Sequence, residues 1–284
     1  MRQLSDPNKV QEYCLHERSV GKKIGLVPTM GCFHQGHLSL MSRAAEHCDI
    51  LIVSLFVNPA QFGPEEDLDS YPQTLEKDRE LAQEQGVDIL FVPDEGLMYP
   101  PGYDTWVHVP GLSADLCGAS RPGHFRGVGT VVCKLLNICR PHLAVFGQKD
   151  WQQLAVIKRM VADLNIPTKI VGHPVVRETD GLAMSSRNTY LTPGERQQAA
   201  QIYAGLRQVQ EMFEGGERRC GELVACFSRH VKRKMPDARM DYAKVVDPES
   251  AAELDEINGS GLLAVAVYLG RARLIDNMLF EENR

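Results

Sequence analysis

Short apolar runs alternate with longer amphipathic stretches along the first two-thirds of the chain. The runs Ile24–Pro28, Asp49–Val57, Val87–Val92, Leu143–Gly147 and Thr168–Val171 are enriched in Val and Ile. They are near-continuously apolar, the pattern of strands covered on both faces by helices. Between them, Leu38–Cys48, Thr74–Gln85, Val128–Cys139 and Trp151–Leu164 are helical candidates. Strand–helix alternation of this kind predicts an α/β fold with a doubly wound, Rossmann-like parallel sheet, whose ligands lie beyond the carboxyl ends of the strands.

Past about Asp180 the texture changes. A polar stretch, Asp-Gly-Leu-Ala-Met-Ser-Ser-Arg-Asn, leads into Thr192-Pro193, a capping residue followed by proline at the first helical position. A basic helical stretch over Leu223–Lys234 and β-rich runs at Arg239–Val246, Leu262–Leu269 and Arg271–Asp276 follow. The expected organisation is a Rossmann-like domain over residues 1–178 and a smaller α+β C-terminal lid domain over 179–284.

A length of 284 residues accommodates two domains. The net charge of −6 argues against a surface for nucleic acid, which recruits clustered Lys and Arg. Ile50–Val57 and Gly261–Leu269 fall well short of the roughly 20 apolar residues of a membrane span. The opening Met-Arg-Gln-Leu-Ser-Asp-Pro has no apolar signal region, so the cytoplasm is the expected location. The eight cysteines show no CxxC pair and read as reduced, mostly packed thiols, with no metal site assigned.

The strongest local signal is Pro28-Thr29-Met30-Gly31-Cys32-Phe33-His34-Gln35-Gly36-His37, between the first of these strands and its helix. A helix N-terminus offers N–H groups and partial positive charge to phosphate, and Gly36 permits close backbone approach. His34 and His37, three residues apart, can face one ligand and donate hydrogen bonds or carry charge toward phosphate oxygens. The plainer alternative is that they only cap the turn.

This segment resembles the HxGH signature of the nucleotidyltransferase superfamily. Phe56-Val57-Asn58-Pro59-Ala60-Gln61-Phe62, Arg121-Pro122-Gly123-His124-Phe125-Arg126-Gly127, Phe146-Gly147-Gln148-Lys149-Asp150-Trp151-Gln152-Gln153-Leu154 and Ser185-Ser186-Arg187-Asn188 are similar, in the same order, to the pantothenate synthetase family. The likeness is specific from about Gly25 to Leu191 and continues more weakly through Leu-Gly-Arg-Ala-Arg-Leu-Ile-Asp-Asn. It implies ATP-dependent ligation of pantoate and β-alanine through a pantoyl-adenylate, with Mg2+ carried mainly by the ATP phosphates, and a homodimer. Gln148 departs from the Glu common in relatives, and Cys32 and Phe33 from Asn or Ala and Leu.

Each chemical step makes a demand. Adenylation needs cations around the triphosphate, and the mixed anhydride needs a water-poor pocket. Lys149, at the carboxyl end of the Leu143–Gly147 strand, is the leading cation candidate, with Asp150 expected to cap the helix and, as the resemblance implies, to have a second role toward the nucleotide ribose. The alternative for Lys149 is a solvated lysine at a helix start. Met184-Ser185-Ser186-Arg187 resembles a strap over the phosphates, hinged at Asp180-Gly181, although its composition is also that of an ordinary loop.

The expected catalytic groups are therefore His34, His37, Lys149 and Arg187. The nucleotide contacts are Met30, Gly31, His34, Gly36, His37, Gly147, Gln148, Lys149, Asp150, Val176, Met184, Ser185, Ser186 and Arg187. Gln61 and Gln153, supported by Asn58, suit the hydroxyls and carboxylate of pantoate. Arg121, His124 and Arg126 face either a ligand anion or acidic surface, and Asp78 or Glu76 is left open as a magnesium ligand or a solvated helix face. Rival readings are an HxGH adenylyltransferase acting on a phosphate ester, an aminoacyl-tRNA synthetase, and a nucleotide-binding protein without turnover.

Overall fold

In a computed structural model, which describes residues 1–64 and 66–281, the chain forms two compact units. The larger comprises Met1–Ser113, Arg121–Gln148 and Gln153–Pro174, and the smaller comprises Ala114–Ser120, Lys149–Gln152 and Val175–Arg284.

The larger unit is built on a six-stranded sheet of β1 (Arg2–Leu4), β2 (Ile24–Thr29), β3 (Ile50–Leu55), β4 (Ile89–Phe91), β5 (Leu143–Gly147) and β6 (Lys169–His173). The strands run parallel in the order β1-β4-β3-β2-β5-β6. The chain turns outward from β2 through β3 and β4, then crosses back to lay β5 on the other side of β2. The carboxyl ends of β2 and β5 thus flank the topological switch point, where parallel sheets open a crevice for ligands.

Period-two alternation explains the two cores. Ile24, Leu26, Ile50, Ile52, Ile89, Phe91, Ala144 and Phe146 point to one face and pack with Val10 and Cys14 of α1 (Pro7–Ser19). Val27, Leu51, Val53, Leu90, Leu143 and Val145 point to the other and meet Leu40, Met41 and Ala44 of α2 (Gln35–Ala45) and Ala82 of α3 (Leu75–Glu84). Each fully buried large side chain contributes about 1.5–3 kcal/mol, which is why the continuous apolar runs specify a two-sided sheet. One-turn helices α4 (Glu95–Met98), α5 (Pro110–Ser113) and α6 (Cys117–Ser120) precede α7 (His124–Cys139), and α8 (Trp151–Asp163) follows β5.

Element limits differ from the sequence expectation where capping decides them. Helix α2 begins three residues before Leu38 because His34 caps it, and α7 begins at His124 because Gly123 adopts the left-handed conformation at φ 85°. Strand β1 is too short and polar to show a period, and α1, which the sequence expectation does not include, opens where the Asp6 side chain accepts from Asn8 N–H at 2.8 Å.

The smaller unit has α9 (Pro193–Ala199), α10 (Gln201–Glu214) and α11 (Cys220–Lys234) beside an antiparallel sheet of β7 (Ala238–Val246), β8 (Ser260–Leu269) and β9 (Ala272–Glu281), ordered β7-β8-β9. As Thr192-Pro193 predicts, α9 opens with a capping box, Thr192 N–H donating to Glu195 Oε2 at 2.8 Å. Its core gathers Ile202, Leu206, Val209, Leu223, Phe227, Leu263, Val265, Val267 and Phe280. Among the described residues no helix is long and apolar enough to cross a membrane.

Candidate active site

In the larger unit, Thr29 ends β2 and the chain turns through Gly31 and Cys32, both left-handed at φ 84° and 53°. Successive N–H groups in such a turn form a concavity that attracts an anion. The anion here is the chain's own: Asp78 on α3, 1 % exposed, accepts from Cys32 N–H at 2.8 Å and from Phe33 N–H at 2.7 Å. A Cβ on Gly31 would lie 3.1 Å from Asp78 Oδ2, so glycine serves both the turn and the approach.

At the start of α2 the two histidines bond reciprocally. His34 Nδ1 accepts from Gly36 N–H at 3.1 Å, and His37 Nδ1 accepts from His34 N–H at 3.3 Å, with ring centroids 4.1 Å apart. The plain capping role is therefore present. It also fixes chemistry, because a ring that accepts at Nδ1 and is neutral carries its proton at Nε2. Both imidazoles are thereby held as Nε2–H donors. The N–H groups of Cys32, Phe33 and Gly36 are engaged within the loop, so these backbone donors are already satisfied by the chain itself.

The segment after β3 assembles around Gln61. Asn58 caps the 3-10 turn Pro59–Gln61, its Oδ1 accepting from Ala60 N–H at 3.3 Å. Asn58 Nδ2 donates to Gln61 Oε1 at 3.0 Å and to Gly127 O at 3.2 Å, and Tyr99 Oη donates to Asn58 Oδ1 at 2.8 Å. Gln61 Nε2 lies 3.1 Å from Met30 Sδ. Asn58 is 1 % exposed and its amide is spent inside the fold, so its service is to orient Gln61. Gly127, on the first turns of α7, permits this: a Cβ there would fall 2.1 Å from Ala60 O.

The basic cluster resolves in the same place. His124 Nδ1 lies 2.8 Å from Gln61 O, and Arg121 bonds Glu66 through its Nε at 2.8 Å and stands 3.1 Å from His124 Nε2. Arg126 sits apart, its guanidinium 4.9 Å over the Trp106 ring. Arg121 and His124 thus brace the Gln61 backbone. Gln153 lies half-buried on the first turn of α8, while Gln152 is a structural residue, accepting from Cys117 N–H at 3.0 Å. Tyr99 and Gly127 are residues to which sequence reasoning gave no role, and Asp78, left there between a magnesium ligand and a solvated helix face, is a clamp on the loop.

Beyond β5, Gly147 and Gln148 close the larger unit and Lys149 begins a stretch of the smaller one. Asp150 is not a separate N-cap, because a 3-10 turn over Gln148–Asp150 runs directly into α8. Lys149 is half-buried, and burial lowers its hold on the proton, an effect opposed by the Asp150 and Asp276 carboxylates and reinforced by the Arg187 guanidinium.

Also in the smaller unit, Arg177 and Ala183 bridge across a tight turn at Asp180-Gly181, Gly181 being left-handed at φ 93°, and Met184 N–H donates to Val176 O at 2.9 Å. Ser185 then caps a 3-10 turn, Ser186–Tyr190, by accepting from Arg187 N–H at 3.3 Å. Asn188 ties this turn to Glu178 at 2.9 Å and to Ala183 O at 3.2 Å. The larger unit thus brings together Met30, Gly31, His34, Gly36, His37, Asn58 and Gln61, and the smaller brings together Val176, Met184, Ser185, Ser186 and Arg187, with Lys149 near Arg187 by charge.

Comparison with known proteins places this arrangement. The family model for pantoate-beta-alanine ligase matches residues 2–279. A pantothenate synthetase of Oleidesulfovibrio alaskensis is 54% identical over 98% of this chain and 99% of its own. Another from Maridesulfovibrio salexigens is 54% identical over 99% of this chain and 100% of its own. Among solved structures, pantothenate synthetase from Thermus thermophilus superposes with TM-score 0.93 at 44% identity, covering 98% of this chain and 99% of that one. The Francisella tularensis pantoate-beta-alanine ligase, complexed with beta-gamma ATP and beta-alanine, gives TM-score 0.80 at 34% identity, covering 98% and 97%.

Proposed function

The chain belongs to the pantoate–β-alanine ligase family, an ATP-dependent ligase joining pantoate and β-alanine into pantothenate, and from that premise we propose how its residues divide the work. A pantoate carboxylate oxygen attacks the α-phosphorus of ATP, forming the pantoyl-adenylate and expelling pyrophosphate. The β-alanine amine then attacks the pantoyl carbonyl carbon, loses a proton, and expels AMP.

His34 and His37 donate from Nε2 to phosphate oxygens as negative charge builds in the first step. Lys149 and Arg187 supply the cationic charge, with Ser185, Ser186, Met184 and Val176 along the nucleotide and Gly147, Gln148 and Asp150 around its sugar and phosphates. Gln61 and Gln153 hold pantoate, directional donors that do not compete as acids. Met30 and Gly31 line the approach, and Gly36 lets α2 come close to the ligand. The observation that carries this division is the reciprocal Nδ1 bonding of His34 and His37, which leaves one proton on each Nε2.

Magnesium belongs to the proposal as a companion of the triphosphate, held by phosphate oxygens. The two carboxylates weighed for it, Asp78 and Glu76, do not suit it as ligands: both Asp78 oxygens accept backbone N–H groups, and Glu76 pairs with Arg79 at 2.7 Å on the surface. A homodimer and a cytoplasmic setting complete the proposal on the strength of the family resemblance, and sedimentation of the purified protein tests the former.

Product analysis with ATP, pantoate and β-alanine tests the reaction. AMP and pantothenate are expected in equal amounts, each requiring all three substrates. A dinucleotide-like product from a phosphate ester would place the chain with adenylyltransferases instead.

A further inference from the structure

We propose that Asn277 and Asp276 on β9, with Arg177, are positioning residues for Lys149; the proposal rests on the reading of Lys149 as the phosphate-directed cation. Asn277 Nδ2 donates to the backbone carbonyl of Lys149 at 3.0 Å, fixing the main chain from which the ammonium extends. The neighbouring Asp276, 4 % exposed, accepts from the backbone N–H of Asn277 at 2.8 Å, so its carboxylate is fixed against the strand that carries Asn277.

Arg177 grips Asp276 through both nitrogens, at 2.6 and 2.9 Å. With its oxygens taken by a guanidinium, Asp276 acts on the lysine through its field rather than by locking the ammonium in an ion pair. Lys149, Ser185, Asn188 and Asp276 line one cavity about the size of a water molecule, and Asn188 Oδ1 is buried with no hydrogen-bond partner among the described residues. The last strand of the chain therefore reaches the lysine by a backbone anchor and a tempered carboxylate.

The charged groups facing Lys149 are Asp150 beside it, Asp276 on β9 and Arg187 on the Ser186–Tyr190 turn. Burial and Arg187 weaken its hold on the proton, and the two carboxylates restore it. A phosphate-directed lysine must stay protonated, so activity that depends on it falls as pH rises through its folded pKa. Removing Asp276 should move that fall to lower pH, and removing Arg177 should move it to higher pH.

The test is pantoate-dependent exchange of pyrophosphate into ATP by the full-length protein. Asn277→Ala and Asn277→Asp, which remove the donor without and with a new charge, should lower kcat on the order of 100-fold with KM for ATP little changed, the signature of a misplaced group. Asn277→Gln, which keeps a donor, should recover part of the rate. Asp276→Asn should bring the alkaline limb of the pH profile to lower pH and Arg177→Gln should raise it.

An unaltered kcat in Asn277→Ala overturns the proposal even if Asp276→Asn does not fold, as does an alkaline limb that stays fixed in folded Asp276→Asn. Lys149→Ala separates the two levels. If it abolishes exchange while the Asn277 variants stay normal, only the positioning role falls; if it exchanges normally, the reading of Lys149 falls too.

Discussion

The backbone N–H of Phe33 donates to Asp78 Oδ1 at 2.7 Å across 45 residues of sequence, and with the neighbouring bond from Cys32 it closes the left-handed turn that presents His34. A buried carboxylate thus fills the anion-binding concavity of the loop and fixes the backbone that leads into His34. Asp78→Ala should unfold more readily, each abandoned N–H costing about 1–3 kcal/mol. Urea unfolding with and without magnesium checks this. Loss of stability that added magnesium does not restore fits the clamp, while normal stability and an activity rescued by magnesium would mark a metal ligand.

His34 caps α2, and the further role proposed for it toward phosphate is one that substitution separates from the cap. Asparagine is also a strong N-cap, so His34→Asn should keep α2 intact, with a melting temperature close to that of the parent. Its exchange rate should nevertheless drop by roughly 100-fold or more, as when a preorganised donor is lost from a charge-developing site. Thermal unfolding and exchange kinetics on the same preparation decide it, and a fully active His34→Asn would reduce His34 to a cap.

Gly127 bears on Gln61, the proposed pantoate ligand, from a distance. An added methyl would enter the space of Ala60 O and displace the turn that carries Gln61. Gly127→Ala should therefore cost about 1–3 kcal/mol of stability, as overpacking does. It should also raise KM for pantoate more than KM for ATP, which initial-rate measurements resolve.

Much of this architecture is visible in the sequence for a definite reason. Strands β2, β3 and β5 are continuous apolar runs because both faces are covered, and β7 and β8 are long enough to show their own β-rich character. The motif that places His34 and His37 is local, so it reads directly. What escapes is non-local: Asp78 with Phe33, Gly127 with Ala60, and Asn277 with Lys149 across 128 residues. No periodicity encodes such pairs. Arg121, His124 and Asn58 carried the chemistry expected of ligand contacts, yet Arg121 and His124 brace the Gln61 backbone and Asn58 orients its side chain, a distinction made by burial and partner rather than by residue type.

Stability should decline on mild acidification. Burial, the largest cause in each case, lowers the pKa of His142, His173 and His230 from the usual value of 6.5, and His142 Nδ1 accepts from Ile24 N–H at 2.9 Å, a bond that protonation at that nitrogen breaks. The unfolded chain then binds more protons than the folded one, so stability is complete above about pH 6.5 and is lost as pH falls below it. Urea midpoints from pH 8 to pH 5 should show this slope, and His142→Gln, whose amide oxygen can accept from Ile24, should flatten it.

The central proposal is that His34, His37 and Lys149 each serve the adenylation step. Pantoate-dependent exchange of labelled pyrophosphate into ATP without β-alanine isolates that half-reaction. The parent protein should exchange, and His37→Ala and Lys149→Ala, each still folded, should each be slower by about 100-fold or more. Near-normal exchange in both variants would contradict the account.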